Sequence, residues 1–177
     1  MQNANRSIAK MGKKLQNVGA ALSVGVTAPL TAFAAVSLKN WDAQVKAIAQ
    51  VEQGLLTTGN AVGFTSEQLQ KMASDLQNTS LFGDEDILQN ATAQLLTFTN
   101  IAGEQFARTQ QAALDLSTRL GGDLKSASIQ LGKALNDPVA NLSALSRSGI
   151  QFTEAQKATI NSLVKTNRLA EAQTIIL

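Results

Sequence analysis

The chain of 177 residues contains no cysteine and no histidine. Without cysteine it can form no disulfide framework, thiolate metal site or cysteine nucleophile. Without histidine it lacks both the usual base of a Ser-His-Asp triad and the commonest metal ligand. We therefore expect that the chain is not an enzyme, with no catalytic residues, metal site, cofactor or small-molecule substrate.

Aromatic residues are also scarce, with six Phe, one Trp and no Tyr. Single-stranded nucleic acids are usually bound by aromatic side chains along a basic groove, and no run of Lys or Arg here exceeds two residues. Direct nucleic-acid binding is therefore not expected. Alanine and leucine dominate the apolar residues and favour helix, and no segment shows the alternation of a strand. The sequence predicts an all-α fold, with extended, coiled-coil-like amino-terminal helices followed by a cluster of short helices.

Acidic residues are missing from the first 41 positions, which carry five basic residues, although the whole chain has a net charge of only +2. Residues 15–38 contain no charged side chain at all. As a helix this run would span ~36 Å, longer than the ~30 Å core of a bilayer. However, its glycines, its hydroxyl and amide side chains and Pro29 make it a poor permanent membrane span.

Three interpretations of this uncharged run remain open. It could be a hinge at residues 25–29 between two alanine-rich helices that pack on each other. It could be a secretory signal, with a basic stretch, an apolar centre and the sequence Ala32-Phe33-Ala34. It could also be a segment that enters membranes conditionally, drawn to anionic lipid by the lysines. The candidate membrane-interacting residues are Lys10, Lys13, Lys14, Leu15, Gly19, Leu22, Gly25, Pro29 and Phe33.

Apolar residues in the first 60 positions follow the alternating spacing of three and four that is typical of a coiled coil. They form two stripes that are out of phase, so a bend at Pro29 is predicted between them. Trp41, in the second stripe, is expected to be a core anchor rather than a platform for a ligand. The candidate residues of an oligomer seam are Ile8, Met11, Leu15, Val18, Leu22, Leu38, Trp41, Val45 and Ile48.

Start and stop signals divide residues 64–177 into short helices. Capping boxes or acidic caps are expected at Thr65, Asp123, Asp137 and Thr153. The acidic residues 84–86 should lie in the first turn of a helix, where they complement its dipole rather than bind a metal. Residues 54–63 are expected to be a linker. The sequence thus predicts two regions: residues 1–60, with a basic amphipathic helix, a hinge at Pro29 and a second heptad helix, and residues 64–177, a multi-helix domain.

A series of motifs runs through residues 131–177. In order they are a Leu-Gly pair, Asp-Pro, Leu-x-x-Leu, Arg-x-Gly-Ile, Phe-Thr-x-x-Gln and Ala-Gln-x-x-Ile-Leu, beginning at Leu131, Asp137, Leu142, Arg147, Phe152 and Ala172. This series resembles the tape measure proteins of long-tailed bacteriophages and prophages. Residues 18–19, 26–30 and 79–87 are similar to the amino-terminal part of the same family, so the resemblance covers most of the chain.

The resemblance implies a structural virion protein that sets tail tube length during assembly and assists DNA through the host envelope on ejection. It implies a homo-oligomer in the lumen of the tail tube, with the tail tube protein, tail assembly chaperones and the host membrane as partners and viral DNA only an indirect one. The implied locations are the virion, the host cytoplasm during assembly and the host membrane during infection. Because family members are usually several times longer, the chain is interpreted as an amino-terminal fragment or a truncated member.

A secreted or injected membrane-active helical toxin is the alternative from another class. It would share the amphipathic and apolar segments of the first 41 residues. Finding the protein in tail particles by mass spectrometry would distinguish the two hypotheses.

Overall fold

A computed structural model describes the backbone of residues 28–177 and the side chains of residues 41–146 and 148–177. Every regular element in this range is helical, which confirms the all-α prediction. The first heptad stripe, from Ile8 to Leu22, lies outside the described residues, as do Lys10, Lys13 and the other membrane candidates before Ala28. Those predictions stay predictions.

The described residues form nine α-helices and one π-helical segment. Most of the helices are short, and only α1 exceeds 18 residues. In chain order the elements are α1 (Ala28–Thr57), α2 (Ser66–Gln77), α3 (Asp84–Ile87), the π-helical segment (Leu88–Thr92), α4 (Ala93–Leu95), α5 (Gly103–Leu120), α6 (Leu124–Asn136), α7 (Pro138–Arg147), α8 (Glu154–Lys165) and α9 (Leu169–Ile176).

The chain divides into two compact units, residues 1–43 and residues 44–177. In the first unit, Pro29 is the second residue of α1, a position where the missing N–H removes no internal hydrogen bond of the helix. The residues that precede Ala28 lie outside the described part of the chain, so the predicted hinge at Pro29 is not tested. The side chains of Phe33 and Leu38 lie outside it as well.

The core of the second unit is arranged around the π-helical segment, which packs against α2, α5 and α6. Leu88, Ala91 and Thr92 of this segment are buried. The sequence predicts an ordinary helix here, with an inward stripe through Ile87, Ala91 and Leu95. The wider π-turn differs from that expectation because it brings two adjacent pairs, 87–88 and 91–92, to the buried face.

Two helices begin with the predicted capping boxes. At α2, the backbone N–H of Thr65 donates to Gln68 Oε1 at 2.9 Å, and the N–H of Gln68 donates to Thr65 Oγ1 at 3.3 Å. At α8, Thr153 and Gln156 exchange the equivalent bonds at 2.9 and 3.2 Å. Both predictions are confirmed, and each box satisfies donors that the first turn of a helix leaves unpaired.

Acidic caps begin α6 and α7, as predicted. Asp123 Oδ2 accepts from the N–H of Ser126 at 2.9 Å, and Asp137 Oδ1 accepts from the N–H of Ala140 at 3.2 Å. Between α5 and α6, Gly121 has a φ of 60°, the left-handed conformation that glycine adopts readily at the end of a helix. Local signals therefore fix where these helices begin and end.

The expectation that residues 54–63 form a linker is wrong. Helix α1 continues to Thr57, and Val62 is only 4% exposed and belongs to the core. A Cβ atom at Gly54 would lie 3.0 Å from Leu96 Cδ1, so glycine permits α1 to approach Leu96 closely. The backbone also joins the core here, since the N–H of Gly103 donates to the carbonyl of Val62 at 3.0 Å.

Candidate functional surfaces

The Leu-Gly pair in the motif series has a packing role. Gly132 lies in α6 against the ring of Phe98, and a Cβ atom at this position would be 2.2 Å from Phe98 Cε2. No real Cβ atom tolerates such a distance, so any other residue at position 132 must displace the ring. Gly132 is therefore required for the close approach of α6 to Phe98.

The last motif contributes a buried glutamine. Gln173, on α9, is 2% exposed, and its Nε2 donates to the carbonyls of Asn100 at 2.8 Å and Leu135 at 3.1 Å. Leu135 lies in the last turn of α6, where carbonyls have no partner within the helix. Gln173 thus ties α9 to the end of α6, and this part of the motif series also specifies the fold rather than a binding site.

The acidic residues 84–86 lie in the first turn of α3, as predicted. Asp84 accepts a hydrogen bond from Gln44 Nε2 at 3.4 Å, and Asp86 accepts one from Asn90 Nδ2 at 2.5 Å. A hydrogen bond with the Asp84 carboxyl, reinforced by partial burial and the neighbouring acidic charges, raises the pKa of Glu85. Among the described residues no cluster of acidic side chains is arranged to hold a metal ion.

An exposed apolar surface lies on α1. The side chain of Trp41 is 72% exposed and that of Val45 is 48% exposed, whereas Ile48 is half-buried and packs against the core. The expectation that Trp41 is a core anchor is therefore wrong for the single chain. Its place in an oligomer seam stays a prediction.

An open groove of about 560 Å³ lies between α2 and α5. Four apolar side chains and five polar or charged side chains line it. The apolar lining consists of Phe64, Met72, Leu76 and Ala107, and the polar lining consists of Gln68, Lys71, Asp75, Arg108 and Gln111. We call this feature the α2–α5 groove.

The two walls of the α2–α5 groove differ in charge. On α2, Lys71 Nζ lies 2.7 Å from Asp75 Oδ2 in an exposed ion pair. On α5, Arg108 is half-buried, and its Nη1 donates to Thr174 Oγ1 at 3.4 Å. None of the ion pairs among the described residues includes Arg108. The α5 wall thus presents a cation beside apolar side chains.

The sequence did not indicate this groove. The apolar stripe of α2, which includes Met72 and Leu76, predicts a buried face, but both side chains are only half-buried and border open space. Nothing in the periodicity of α5 shows that Ala107 and Arg108 form the facing wall. A small residue beside a basic residue on a helix is too common a pattern to indicate a groove.

None of the helices in the described part of the chain is long and apolar enough to cross a membrane. Of the membrane candidates, Pro29 and Phe33 lie in α1, and the others precede it. The conditional membrane interaction stays a prediction.

The chain matches one family of known proteins. The family model of the prophage tail length tape measure protein matches residues 1–161, which includes α1 to α7 and part of α8. The chain belongs to this family.

This membership assigns the protein a structural role in a phage tail, in agreement with the resemblance of residues 131–177. The matched range includes Gly132 and the Asp137-Pro138 cap but ends before α9 and Gln173. The match offers no support for the toxin alternative. No curated protein and no solved structure matches the chain.

Proposed function

We propose that this tape measure protein sets the length of the tail tube during assembly and assists passage of DNA through the host envelope on ejection. The observation that carries the proposal is the family match over residues 1–161. In this role the protein forms a homo-oligomer in the tail tube lumen, contacts the tail tube protein and is held by tail assembly chaperones before the tube closes around it. The candidate seam residues, among them Trp41 and Val45, take part in that self-association.

The compact unit, residues 44–177, is not the measuring segment in this proposal. A helix adds ~1.5 Å per residue only where the chain is extended, and the longest helix wholly within this unit, α5, has 18 residues and spans ~27 Å. When short helices pack on one core, the length of the unit is not the sum of the helix lengths. We therefore assign measurement to extended helix outside residues 44–177 and assign the compact unit to a folded module.

In-frame deletions in the complete prophage gene test this assignment. Removing residues 124–137, which is α6 with the Asp137 cap, should prevent tail formation or infection without shortening the tails in proportion. Removing 14 residues from an extended helical part of the same protein should shorten tails by ~21 Å. Electron micrographs of purified particles give the lengths. Tails shortened by ~21 Å after the first deletion would contradict the assignment.

We also propose that residues 15–38 interact with membranes conditionally. Binding to vesicles rich in phosphatidylglycerol should weaken with salt and with the double variant Lys13→Glu, Lys14→Glu, because the lysines supply the attraction to anionic lipid. The matched control, Lys125→Glu with Lys133→Glu, makes the same charge change at exposed positions of α6 and should bind nearly as well as the unmodified chain. Leu22→Asp should retain binding but prevent leakage of vesicle contents.

A chain that lacks residues 1–41 tests whether the membrane activity lies in another part of the protein. If the shortened chain made vesicles leak as effectively as the intact chain, residues 15–38 would not be the membrane-active segment. The hinge between packed helices would then be the better interpretation of that run.

A further inference from the structure

The π-helical segment contributes to a buried polar pair. The backbone N–H of Ala93 donates to the carbonyl of Leu88, five residues earlier, which is the bond that defines a π-turn. On the buried face of this turn, Thr92 Oγ1 accepts a hydrogen bond from Gln110 Nε2 at 2.5 Å. Both side chains are 0% exposed. This bond joins the π-helical segment to α5 in the middle of the core.

The other end of the Gln110 amide lowers the stability of the folded chain. Gln110 Oε1 is buried and has no hydrogen-bond partner within the described part of the chain. A buried polar atom without a partner is unfavourable, so an apolar side chain of similar shape would fill this position at a lower cost. Buried polar groups that cost stability are best known for fixing the register of packed helices.

The pattern of buried residues shows which register is fixed here. Three adjacent pairs are buried, 87–88, 91–92 and 95–96, and they repeat every four residues. An α-helix has 3.6 residues per turn, so each step of four residues rotates a pair by about 40°, and the third pair would lie about 80° from the first. The wider π-turn removes part of this rotation and keeps all three pairs on the buried face.

The residues that follow the π-turn depend on this register. Leu96 lies against Gly54 of α1, where a Cβ atom would be 3.0 Å from Leu96 Cδ1, and Phe98 lies against Gly132 of α6. An ordinary α-helical turn at residues 88–92 would rotate Leu96 and Phe98 away from these glycines. The register of the π-helical segment therefore decides whether both close contacts form.

We propose that the hydrogen bond between Thr92 and Gln110 selects the π-turn over an α-helical turn and thereby positions Leu96 and Phe98. Apolar pairs can pack in more than one orientation, whereas a hydrogen bond requires a short distance and a narrow range of angles. In the α-helical alternative Thr92 turns away from Gln110, and both ends of the buried amide then lack a partner. The two positioning residues thus make the alternative register unfavourable.

Scalar couplings across hydrogen bonds, measured by NMR on the deuterated chain, report the register directly. In the unmodified chain, the amide nitrogen of Ala93 should couple to the carbonyl carbon of Leu88. In the double variant Thr92→Val, Gln110→Leu, it should couple to the carbonyl carbon of Gln89, four residues earlier, as in an α-helix. A coupling to Leu88 that persisted in the double variant would overturn the proposal, because the apolar pairs would then hold the π-turn by themselves.

Thr109→Val is the matched control for the coupling measurement. Thr109 is also 0% exposed, but its Oγ1 donates to the carbonyl of Gln105 at 2.6 Å within its own helix. The variant removes a buried hydroxyl and leaves the pair intact, so Ala93 should stay coupled to Leu88. A change of partner in this control would contradict the specific role of the pair.

Urea unfolding distinguishes the two members of the pair. Thr92→Val leaves the whole amide of Gln110 without a partner, so the equilibrium constant for unfolding should rise about tenfold or more. Gln110→Leu should raise it less, because a threonine hydroxyl can donate to a carbonyl of its own helix. The double variant should be more stable than Thr92→Val alone, and equal stability of these two variants would contradict the coupling. If the double variant does not fold by circular dichroism, Gln110→Met replaces it in the NMR measurement, with the same expected change of partner.

Gly132→Ala tests whether the pair positions Phe98. In the unmodified chain this substitution forces a Cβ atom against the ring, whereas in the double variant Thr92→Val, Gln110→Leu the ring has rotated away. The shift in urea midpoint caused by Gly132→Ala should therefore be smaller in the double variant. An equal shift in both backgrounds would overturn the positioning of Phe98. None of these measurements depends on tail length, so their outcome is independent of the proposed tape measure role.

Discussion

Two packing junctions formed by helices of the compact unit differ in how completely they are filled. Where α6 meets Phe98, a single added carbon at Gly132 would lie 2.2 Å from the ring. Where α2 faces α5, a groove of about 560 Å³ remains open beside Met72 and Ala107. The first junction holds a glycine because nothing larger fits, and the second holds larger side chains that do not meet. Close packing in this protein is therefore local to particular junctions.

The difference separates residues that specify the fold from residues that are available for binding. Gly132 belongs to the motif series that resembles the tape measure family, and its contact is internal. The α2–α5 groove contains none of those motif residues, yet it combines apolar side chains with Arg108, which belongs to none of the ion pairs among the described residues. Substitutions that add volume should accordingly lower stability at the filled junction and leave it nearly unchanged at the groove.

Gly132→Ala should have the largest effect on stability. Overpacking a core costs about 1–3 kcal/mol, and the 2.2 Å contact with Phe98 places Gly132→Ala at the upper end of that range. Alanine recovers up to about 1 kcal/mol of helix propensity, so a net loss of about 2 kcal/mol is expected. Urea unfolding followed by circular dichroism measures the change. The control is Gly122→Ala, where the nearest atom to the new Cβ would be Leu120 Cβ at 4.0 Å.

The double variant Gly132→Ala, Phe98→Leu sharpens this prediction. If the aromatic ring is the obstacle, the added methyl should cost less in the Phe98→Leu background than in the unmodified chain. Equal costs in both backgrounds, or a loss no greater than that of Gly122→Ala, would show that the junction is not filled.

Gln173→Leu should destabilise the same side of the molecule by a similar or slightly smaller amount, about 1–2 kcal/mol. The apolar side chain has nearly the same size but cannot donate to the carbonyls of Asn100 and Leu135. Gln105→Leu is the matched control, because Gln105 donates to Thr174 Oγ1 at 2.9 Å in an exposed bond that water can replace. Comparable urea midpoints for the two variants would mean that Gln173 does not tie α9 to α6.

The sequence predicts the local features of this fold well. The caps at Thr65, Asp123, Asp137 and Thr153 and the left-handed Gly121 depend on residues within a few positions of each other. Such signals can be recognised in the sequence because the interacting groups are neighbours in the chain. The helical class follows from the same local preferences and from the periodicity of the apolar stripes.

Features that depend on distant residues could not be predicted in the same way. The sequence around Gly54 suggests a linker, but in the structure Gly54 packs closely against Leu96, which lies 42 positions away. The α2–α5 groove depends on how far two helices stand apart, which neither helix encodes alone. The exposure of Trp41 is a further case, since heptad spacing identifies an apolar face without showing whether the face is covered within the chain.

The exposed cap of α6, Asp123, should make the stability of the protein depend on pH. Hydrogen bonds from the Ser126 hydroxyl, and secondarily from its N–H, lower the pKa of Asp123 below its ordinary value. Ionised Asp123 therefore stabilises the folded state above the pKa of the unfolded chain, and this contribution is lost as the pH falls through the lower folded value. Asp123→Ala should be less stable than the unmodified chain at pH 7, with the difference narrowing below about pH 4.

Ser126→Ala provides the control for that titration. Without the hydroxyl, the main cause of the lowered pKa is gone, so the stabilisation by Asp123 should be smaller and its loss should be complete at a higher pH than in the unmodified chain. Urea midpoints between pH 2 and 7 record both series. A difference between Asp123→Ala and the unmodified chain that stayed constant over this range would contradict the role of the carboxylate.

Ala107→Leu should have the smallest effect on stability, although it adds three carbons where Gly132→Ala adds one. Ala107 lines the α2–α5 groove, so the longer side chain can extend into open space instead of displacing a neighbour. Leucine forms helix nearly as well as alanine, and the unfolding free energy should change by no more than about 0.5 kcal/mol. Urea unfolding followed by circular dichroism measures the change. A loss of stability equal to that of Gly132→Ala would mean that the groove is as tightly filled as the α6 junction, and the distinction between them would fail.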